Sequence, residues 1–318
     1  MSEPTGRPVI IDTDPGQDDA IAILLALGSP ELDVLGVVAV AGNVPLPLTT
    51  RNALLICELA GRTDIPVFAG CERPMVRRLV TAEAVHGKTG LDGPDWAEPT
   101  MALQDAHGVD WMIDTLRASG DDGVTICALG PLTNVAMALV RAPDAAGHIR
   151  EIVTMGGGWF VGGNVTPAAE FNIYVDPHAA HVVYSSGVPI VTMSLDVTHK
   201  ALMRHEWIAS LRETGPVGVA ANEMLTFYER FDLERYGDFG GPVHDPATVA
   251  WLLDPDLYGG KDVFVEIETG SELTMGMTVV DWWGARKGEP NARWVTEVDA
   301  DGFFALISER IAALDAAR

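Results

Sequence analysis

Apolar and polar positions along the chain sort into two kinds of segment. Short apolar runs occur at Val9-Ile10-Ile11, Val34 to Val40, Val124 to Leu129, Ile152 to Met155 and Val188 to Met193. Most are rich in β-branched residues and none alternates cleanly, which predicts strands covered on both faces of a parallel sheet. Between them lie amphipathic stretches that predict helices: Asp18 to Leu27, Thr50 to Ala60, Asp105 to Ser119 and Leu132 to Arg141. Gly28, Gly61 and Gly120 follow three of these and fit C-terminal caps. Repeated strand–helix alternation implies right-handed crossovers and a single-domain, Rossmann-like α/β fold: an open, mostly parallel sheet with helices on both faces.

Downstream the pattern turns helical from Arg204 to about Phe231, passes through a Gly-rich loop at Tyr236 to Pro242, and resumes as a helix near Pro246. Runs at Val263 to Ile267, Leu273 to Val280 and Arg293 to Val298 predict peripheral strands, and a last helix fills Gly302 to Ala317. No repeat or linker divides the chain, so residues 1–318 are expected to form one domain. The stretch from Met75 to Pro99 is long and polar, as functional loops often are.

Polar residues collect where the predicted strands end. The first ends in Asp12-Thr13-Asp14, the second in Gly42-Asn43, the third in Gly130-Pro131, the fourth in Met155-Gly156-Gly157-Gly158 and the fifth in Asp196. In open α/β sheets ligands bind at the carboxyl ends of strands, so this rim is the expected site. Its densest part, Asp12-Thr13-Asp14-Pro15-Gly16-Gln17-Asp18-Asp19, holds four carboxylates in eight residues. Like charges so crowded repel unless a cation or sugar hydroxyls lie among them. Helix capping explains Asp18 and a first-turn charge explains Asp19, but not the cluster.

Composition narrows the partners. With 21 basic and 45 acidic residues the formal net charge is −24, which disfavours nucleic acid and anionic membranes. Cys57, Cys71 and Cys127 are odd in number and widely spaced, as expected of reduced thiols in a cytoplasmic protein. The first residues carry no apolar stretch of the kind found in signal peptides, and no run spans a bilayer.

The Asp-x-Asp-Pro-Gly-x-Asp-Asp run resembles the signature of the nucleoside hydrolases. The resemblance continues through Gly42-Asn43, His86-Gly87, Leu129-Gly130-Pro131-Leu132-Thr133-Asn134 and Met155 to Gly158. It ends with Gly163 to Asn172 and His244-Asp245-Pro246-Ala247, in the family's order across residues 12 to 247. It implies hydrolysis of the N-glycosidic bond of ribonucleosides, of the inosine–uridine-preferring type and in nucleoside salvage, by a homodimer or homotetramer. It also implies Ca²⁺ held by Asp14, Asp19, Asp245 and the Leu129 carbonyl. Asp14 is then the general base, and His244 the proton donor to the leaving base. Asp18 and Asn43 would contact the 2′ side of the ribose, Asn164, Glu170 and Asn172 its 3′ and 5′ hydroxyls, Met155 its face, and His86 the base or sugar. In purine-specific relatives tryptophans clamp the base, which carries to Trp159 as a base contact. Tyr228 and Tyr236 either stack on the base or pack in the core.

Each residue has a blander explanation. His244-Asp245 before Pro246 fits an ordinary helix start, Asn43 and Asn164 beside glycines fit turns, and Glu170 fits a solvated loop charge. The remaining histidines, His199 among them, match no motif and are assigned to surface or core. Two other functions stay open. Asp12-x-Asp14 after a buried strand mimics the nucleophile motif of haloacid-dehalogenase-like phosphatases, although Pro15-Gly16 and Asp18-Asp19 fit that class poorly. A nucleoside- or ribose-binding protein would use the same acceptors without turnover.

Overall fold

A computed structural model describes residues 6–120, 122–236, 240–286 and 288–318, with side chains throughout except those of 231–236. Its centre is a nine-stranded sheet of order β3-β2-β1-β4-β5-β6-β9-β7-β8. The strands are β1 (Arg7–Thr13), β2 (Leu32–Ala39), β3 (Val67–Ala69), β4 (Val124–Ala128), β5 (Ile149–Met155), β6 (Ile190–Met193), β7 (Tyr258–Ile267), β8 (Thr278–Asp281) and β9 (Ala292–Val298). All pairings from β3 through β9 are parallel, and β7 joins β9, and β8 joins β7, antiparallel. The expected mostly parallel α/β sheet is what the chain forms.

Side chains on β1 alternate between two cores. Val9 and Ile11 join the cluster under the helices Gln17–Leu27, Pro216–Tyr236, Pro246–Leu253 and Ala300–Ala316, while Ile10 joins the cluster on the other face. The helix Gln17–Leu27 departs from the expected amphipathic pattern, because every one of its residues is buried. Its sequence is apolar all round after the first turn, and such a helix has no solvent face to offer. Each of Ile21, Ile23, Leu24 and Leu25 is fully buried and contributes about 1.5–3 kcal/mol relative to exposure. The helix that delivers Asp18 and Asp19 is therefore held rigidly.

Several expectations are corrected. Gly61 adopts the left-handed conformation (φ 70°) expected of a helix-terminating glycine. Gly28 does not, since its φ is −83°; a Cβ there would press on the Arg310 carbonyl at 2.6 Å, so it is glycine for close packing. Gly120 is not in the left-handed region either. The second and third helices begin at Leu46 and Gly108 rather than Thr50 and Asp105. Strand β9 is not peripheral: it continues the parallel sheet beside β6. The last-but-one run supplies only Thr278–Asp281.

The order places β1 at the switch point, with β2 and β3 running off one way and β4, β5 and β6 the other. A crevice opens where connections diverge at the carboxyl ends of such strands. The rim residues after β1, β2, β4 and β5 all border it. No helix among the described residues is long and apolar enough to cross a membrane.

Candidate active site

A cavity of about 300 Å³ lies over that crevice. Asp14, Asp18, Asp19, Asn43, Leu129, Met155, Glu170, Asn172 and Asp245 line it from the strand ends, and His86, Asn164, Tyr228 and His244 from the loops and helices above. Trp159 lies outside the lining: its backbone N–H donates to Asp196 at 3.1 Å and its ring packs against the core around Trp294. The structure does not bring Trp159 to the cavity with the other predicted residues. The side chain of Tyr236 lies outside the described residues.

Four aspartates of the lining are buried, Asp14 (1%), Asp18 (5%), Asp19 (1%) and Asp245 (4%), and Asp12 (0%) lies behind them on β1, accepting from Asn134 Nδ2 at 2.7 Å. Among the described residues no lysine or arginine lines the cavity. Asp14 sits one residue beyond β1, pinched between two glycines: a Cβ on Gly42 would overlap its Oδ2, and one on Gly130 its Oδ1. The Asn43 N–H donates to Oδ2 at 2.7 Å, but Oδ1 has no hydrogen-bond partner. Burial, then the neighbouring Asp19 and Asp18, push the Asp14 carboxyl well above its usual range.

Asp19 is tied down more fully. It accepts from Thr13 Oγ1 at 2.5 Å, the Gly16 N–H at 3.0 Å and Asn43 Nδ2 at 3.2 Å. The bond from Gly16 caps the helix, so capping accounts for one oxygen of Asp19 and leaves the crowding unexplained. Asp245 stands at the N-cap of Pro246–Leu253 yet makes no side-chain capping bond. Its carboxylate joins Asp18 and Asp19 instead, with one oxygen of each within 4.8 Å of the others, a group of acidic ligands suited to a metal ion. Burial and then Asp18, Asp19 and Asp14 raise the Asp245 carboxyl well above its usual range.

The remaining wall residues show how the loops are held. Asn172 Nδ2 donates to the Leu129 carbonyl at 2.7 Å and the Met155 carbonyl at 3.1 Å, bridging the ends of β4 and β5. Glu170 is no solvated charge: it is buried, caps the helix Phe171–Val175 and accepts from the Gly157 N–H at 2.9 Å. Asn164 Oδ1 accepts from the Phe171 N–H at 2.9 Å.

Three histidines reach the cavity. His86 stacks on Tyr228 with ring centroids 5.5 Å apart, and burial pushes its pKa down to about 4. His244 pairs through Nδ1 with Thr198 Oγ1 at 2.8 Å. Burial, then His199 and His86, push it down to about 3, although its surface keeps partial contact with solvent. The third, His199, matches no motif and is expected at the surface or in the core, yet it lines the cavity with its ring centroid 5.8 Å from that of His244. Its signal was its place just after the Asp196 rim of β6. Also missed were Thr198, Thr81 and Val85, which lie in no motif, and Val165 and Phe171, which lie within the Gly163 to Asn172 run but were not singled out.

Known proteins resemble the chain over nearly its whole length. The family described as inosine-uridine preferring nucleoside hydrolase matches residues 9–305. The Escherichia coli (strain K12) protein named pyrimidine-specific ribonucleoside hydrolase RihA is 47% identical over 306 residues, covering 96% of this chain and 98% of its own. An uncharacterized protein of Schizosaccharomyces pombe is 51% identical over 310 residues, 96% of this chain and 99% of that one. Among solved structures, a purine-preferring ribonucleoside hydrolase from Gardnerella vaginalis superposes with a TM-score of 0.92 at 30% identity, covering 98% of this chain and all (100%) of that one. A plant nucleoside hydrolase does so at 0.89 and 34%, covering 96% and 99%. The phosphatase and non-catalytic readings find no support in these matches.

Proposed function

The chain belongs to the inosine-uridine preferring nucleoside hydrolase family and hydrolyses the N-glycosidic bond of ribonucleosides, and we propose that it does so with Ca²⁺ and a preference for pyrimidine bases. The observation that carries the metal is the set of four buried aspartates lining one cavity, Asp14, Asp18, Asp19 and Asp245, with Asp14 Oδ1 left without a partner. Burying unpaired carboxylates is costly, and a divalent cation removes that cost. Asp14, Asp19, Asp245 and the second lone pair of the Leu129 carbonyl would hold the ion, with Asp18 beside them. An all-oxygen set that leaves room for ligand suits Ca²⁺ better than Zn²⁺. When bound, such a cation supplies positive charge for the ribose diol and for activation of water.

The protein's own groups then divide the reaction. Asp14, fixed through Oδ2 by the Asn43 N–H, takes the proton of the attacking water on Oδ1. Asp18 and Asn43 contact the 2′ side of the ribose, Asn164, Glu170 and Asn172 the 3′ and 5′ side, and Met155 the sugar face. The carboxylates stabilise positive charge that develops on the ribose as the bond breaks. His244 hands a proton to the departing base. At rest its ring is neutral; negative charge growing on the base raises the proton affinity of the ring, and its partly exposed surface connects it to solvent. Pyrimidine preference is supported by the 47% identity to proteins named for it. Three free cysteines support a cytoplasmic setting. The whole chain, 1–318, is one nucleoside hydrolase domain, assembled as a homodimer or homotetramer in salvage.

The test is release of free ribose from uridine, cytidine, inosine and 2′-deoxyuridine, before and after chelation. Activity on uridine should vanish on chelation and return with Ca²⁺ better than with Zn²⁺. Loss of the 2′-hydroxyl should lower kcat/KM on the order of 10³-fold or more. Full activity in metal-free protein, or equal rates on uridine and 2′-deoxyuridine, overturns the diol-and-metal reading.

A further inference from the structure

Gln17 stands inside the aspartate run but has no part in the chemistry derived above. Its side chain is fully buried at the start of the helix Gln17–Leu27. Its amide Nε2 donates to two backbone carbonyls of the long loop, His86 O and Asp92 O, each at 3.0 Å. Those two acceptors use both amide hydrogens and so fix which way the amide faces. The other end, Oε1, lies 2.8 Å from His86 Nδ1. An amide oxygen only accepts, so the imidazole proton must be on Nδ1.

The ring has no freedom to evade this. Tyr228 stacks on it at an interplanar angle of 26°. Gly16 lies against Nδ1, leaving no space there for a side chain. Burial keeps the ring neutral at pH 7. A neutral imidazole with its proton on Nδ1 carries a lone pair on Nε2, and with Nδ1 taken, Nε2 is the nitrogen left for a ligand in the cavity that His86 lines.

We propose that Gln17 is a positioning residue that locks His86 in the Nδ1–H tautomer, so that His86 meets the nucleoside as a hydrogen-bond acceptor at Nε2 and selects a substrate donor, the N3–H of a uracil base. The inference rests on the nucleoside hydrolase reading of this cavity. It assigns His86 a recognition role distinct from the proton delivery given to His244. A methyl group on N3 removes the donor and adds bulk; a missing 5′-hydroxyl removes the alternative donor on the sugar.

Two measurements on the Ca²⁺-loaded protein test it. The first is the ¹⁵N shift pattern of His86 at pH 7, assigned by comparison with H86N. It should be that of a neutral Nδ1–H ring, and should change to a tautomer mixture in Gln17→Met, which keeps the volume but neither fixed donors nor acceptor. An Nε2–H or doubly protonated ring in the wild type overturns the lock, whether or not the enzyme proves active on nucleosides. The second compares kcat/KM for uridine, 3-methyluridine and 5′-deoxyuridine in wild type, Q17M, H86N and the double variant. Uridine should exceed 3-methyluridine by about 10-fold or more, the worth of one hydrogen bond, mainly through KM. That preference should shrink in Q17M and be absent in H86N, and Q17M should add little to it in the H86N background. A preference that survives intact in H86N overturns the acceptor role while leaving nucleoside hydrolysis standing. A preference lost only for 5′-deoxyuridine moves the contact to the sugar and overturns selection of the base. A Q17M penalty on uridine that is unchanged in H86N means that Gln17 merely braces the loop, and overturns its action through His86.

Discussion

The carboxylate floor of the cavity and the imidazole wall above it both bury polar groups, but they are stabilised in opposite ways. On the floor, Asp14, Asp19 and Asp245 hang from strand ends and helix starts with like charges as neighbours, and burial raises their pKa values. On the wall, His86 and His244 are held by neutral partners, Gln17 and Thr198, and burial lowers theirs. Among the described residues no lysine or arginine lines the floor to balance its carboxylates. The wall is complete as it stands, and its rings are neutral. Even the two rings differ: Gln17 dictates one tautomer for His86, whereas the Thr198 hydroxyl can donate or accept and leaves His244 able to use either. A fixed tautomer suits recognition, and an adaptable one suits proton transfer.

The largest effect should follow from damage to the floor. Asp14→Asn removes the open oxygen Oδ1 as base and a charge from the acidic group, while preserving shape between Gly42 and Gly130. Loss of about 10³-fold or more in kcat is expected on every substrate, because base and cation charge fall together. Comparable losses on uridine and on p-nitrophenyl riboside are the signature; a variant impaired on one alone would show that the floor does not act on the common ribosyl centre.

Damage to the wall should be smaller and selective. His244→Ala removes help to the leaving group only, so uridine and inosine should slow by roughly 10²-fold or more. The p-nitrophenyl riboside, whose anion departs unaided, should be nearly unaffected. Equal loss on both would mean that His244 orients the sugar or the acidic floor, and His199, 5.8 Å away between ring centroids, would become the first alternative donor.

The same contrast explains what could be read from the chain before its structure. Most of the floor was legible because Asp14, Asp18 and Asp19 fall together in one run directly after a buried strand, whereas Asp245 showed only through its His-Asp-Pro motif. Asp14, Asn43, Leu129 and Met155 all stand where a strand runs out. The wall was only half legible. His86 and His244 appeared through motifs, but the partners that define their chemistry come from elsewhere: Thr198 is 46 residues from His244 and Gln17 is 69 from His86. Contacts at such separation leave no periodic trace. The position of Trp159 outside the lining was illegible for the same reason, since its surroundings are Asp196 and the second core cluster. Strand β3 escaped notice because three residues, Val67–Ala69, are too few to show a pattern. Nothing local marked β9 as part of the parallel sheet rather than its fringe.

The smallest predicted effect separates floor from wall without any substrate, through the pH dependence of stability in chelator. Raised carboxyl pKa values mean that the folded protein binds protons more tightly there than the unfolded chain does. Their stabilising contribution is present at low pH and is lost as pH rises through the folded values. The histidines work the other way: their lowered values give a contribution that is complete above about 6.5, the unfolded value, and lost as pH falls toward about 4 and about 3. Above pH 6.5 the histidine contribution is complete and the raised carboxyls can only lose stabilisation as pH rises, so Tm in chelator should decline; the buried thiols of Cys57, Cys71 and Cys127, also raised, act in the same direction toward pH 8.5. Saturating Ca²⁺ offsets the repulsion on the floor, so the Tm gain on adding it should grow with pH. A shallow slope should persist in Ca²⁺, because burial holds Asp12 at about 7 and Asp12 lies outside the cavity lining. Equal slopes with and without Ca²⁺ would show that the floor's carboxylates are not what the ion relieves.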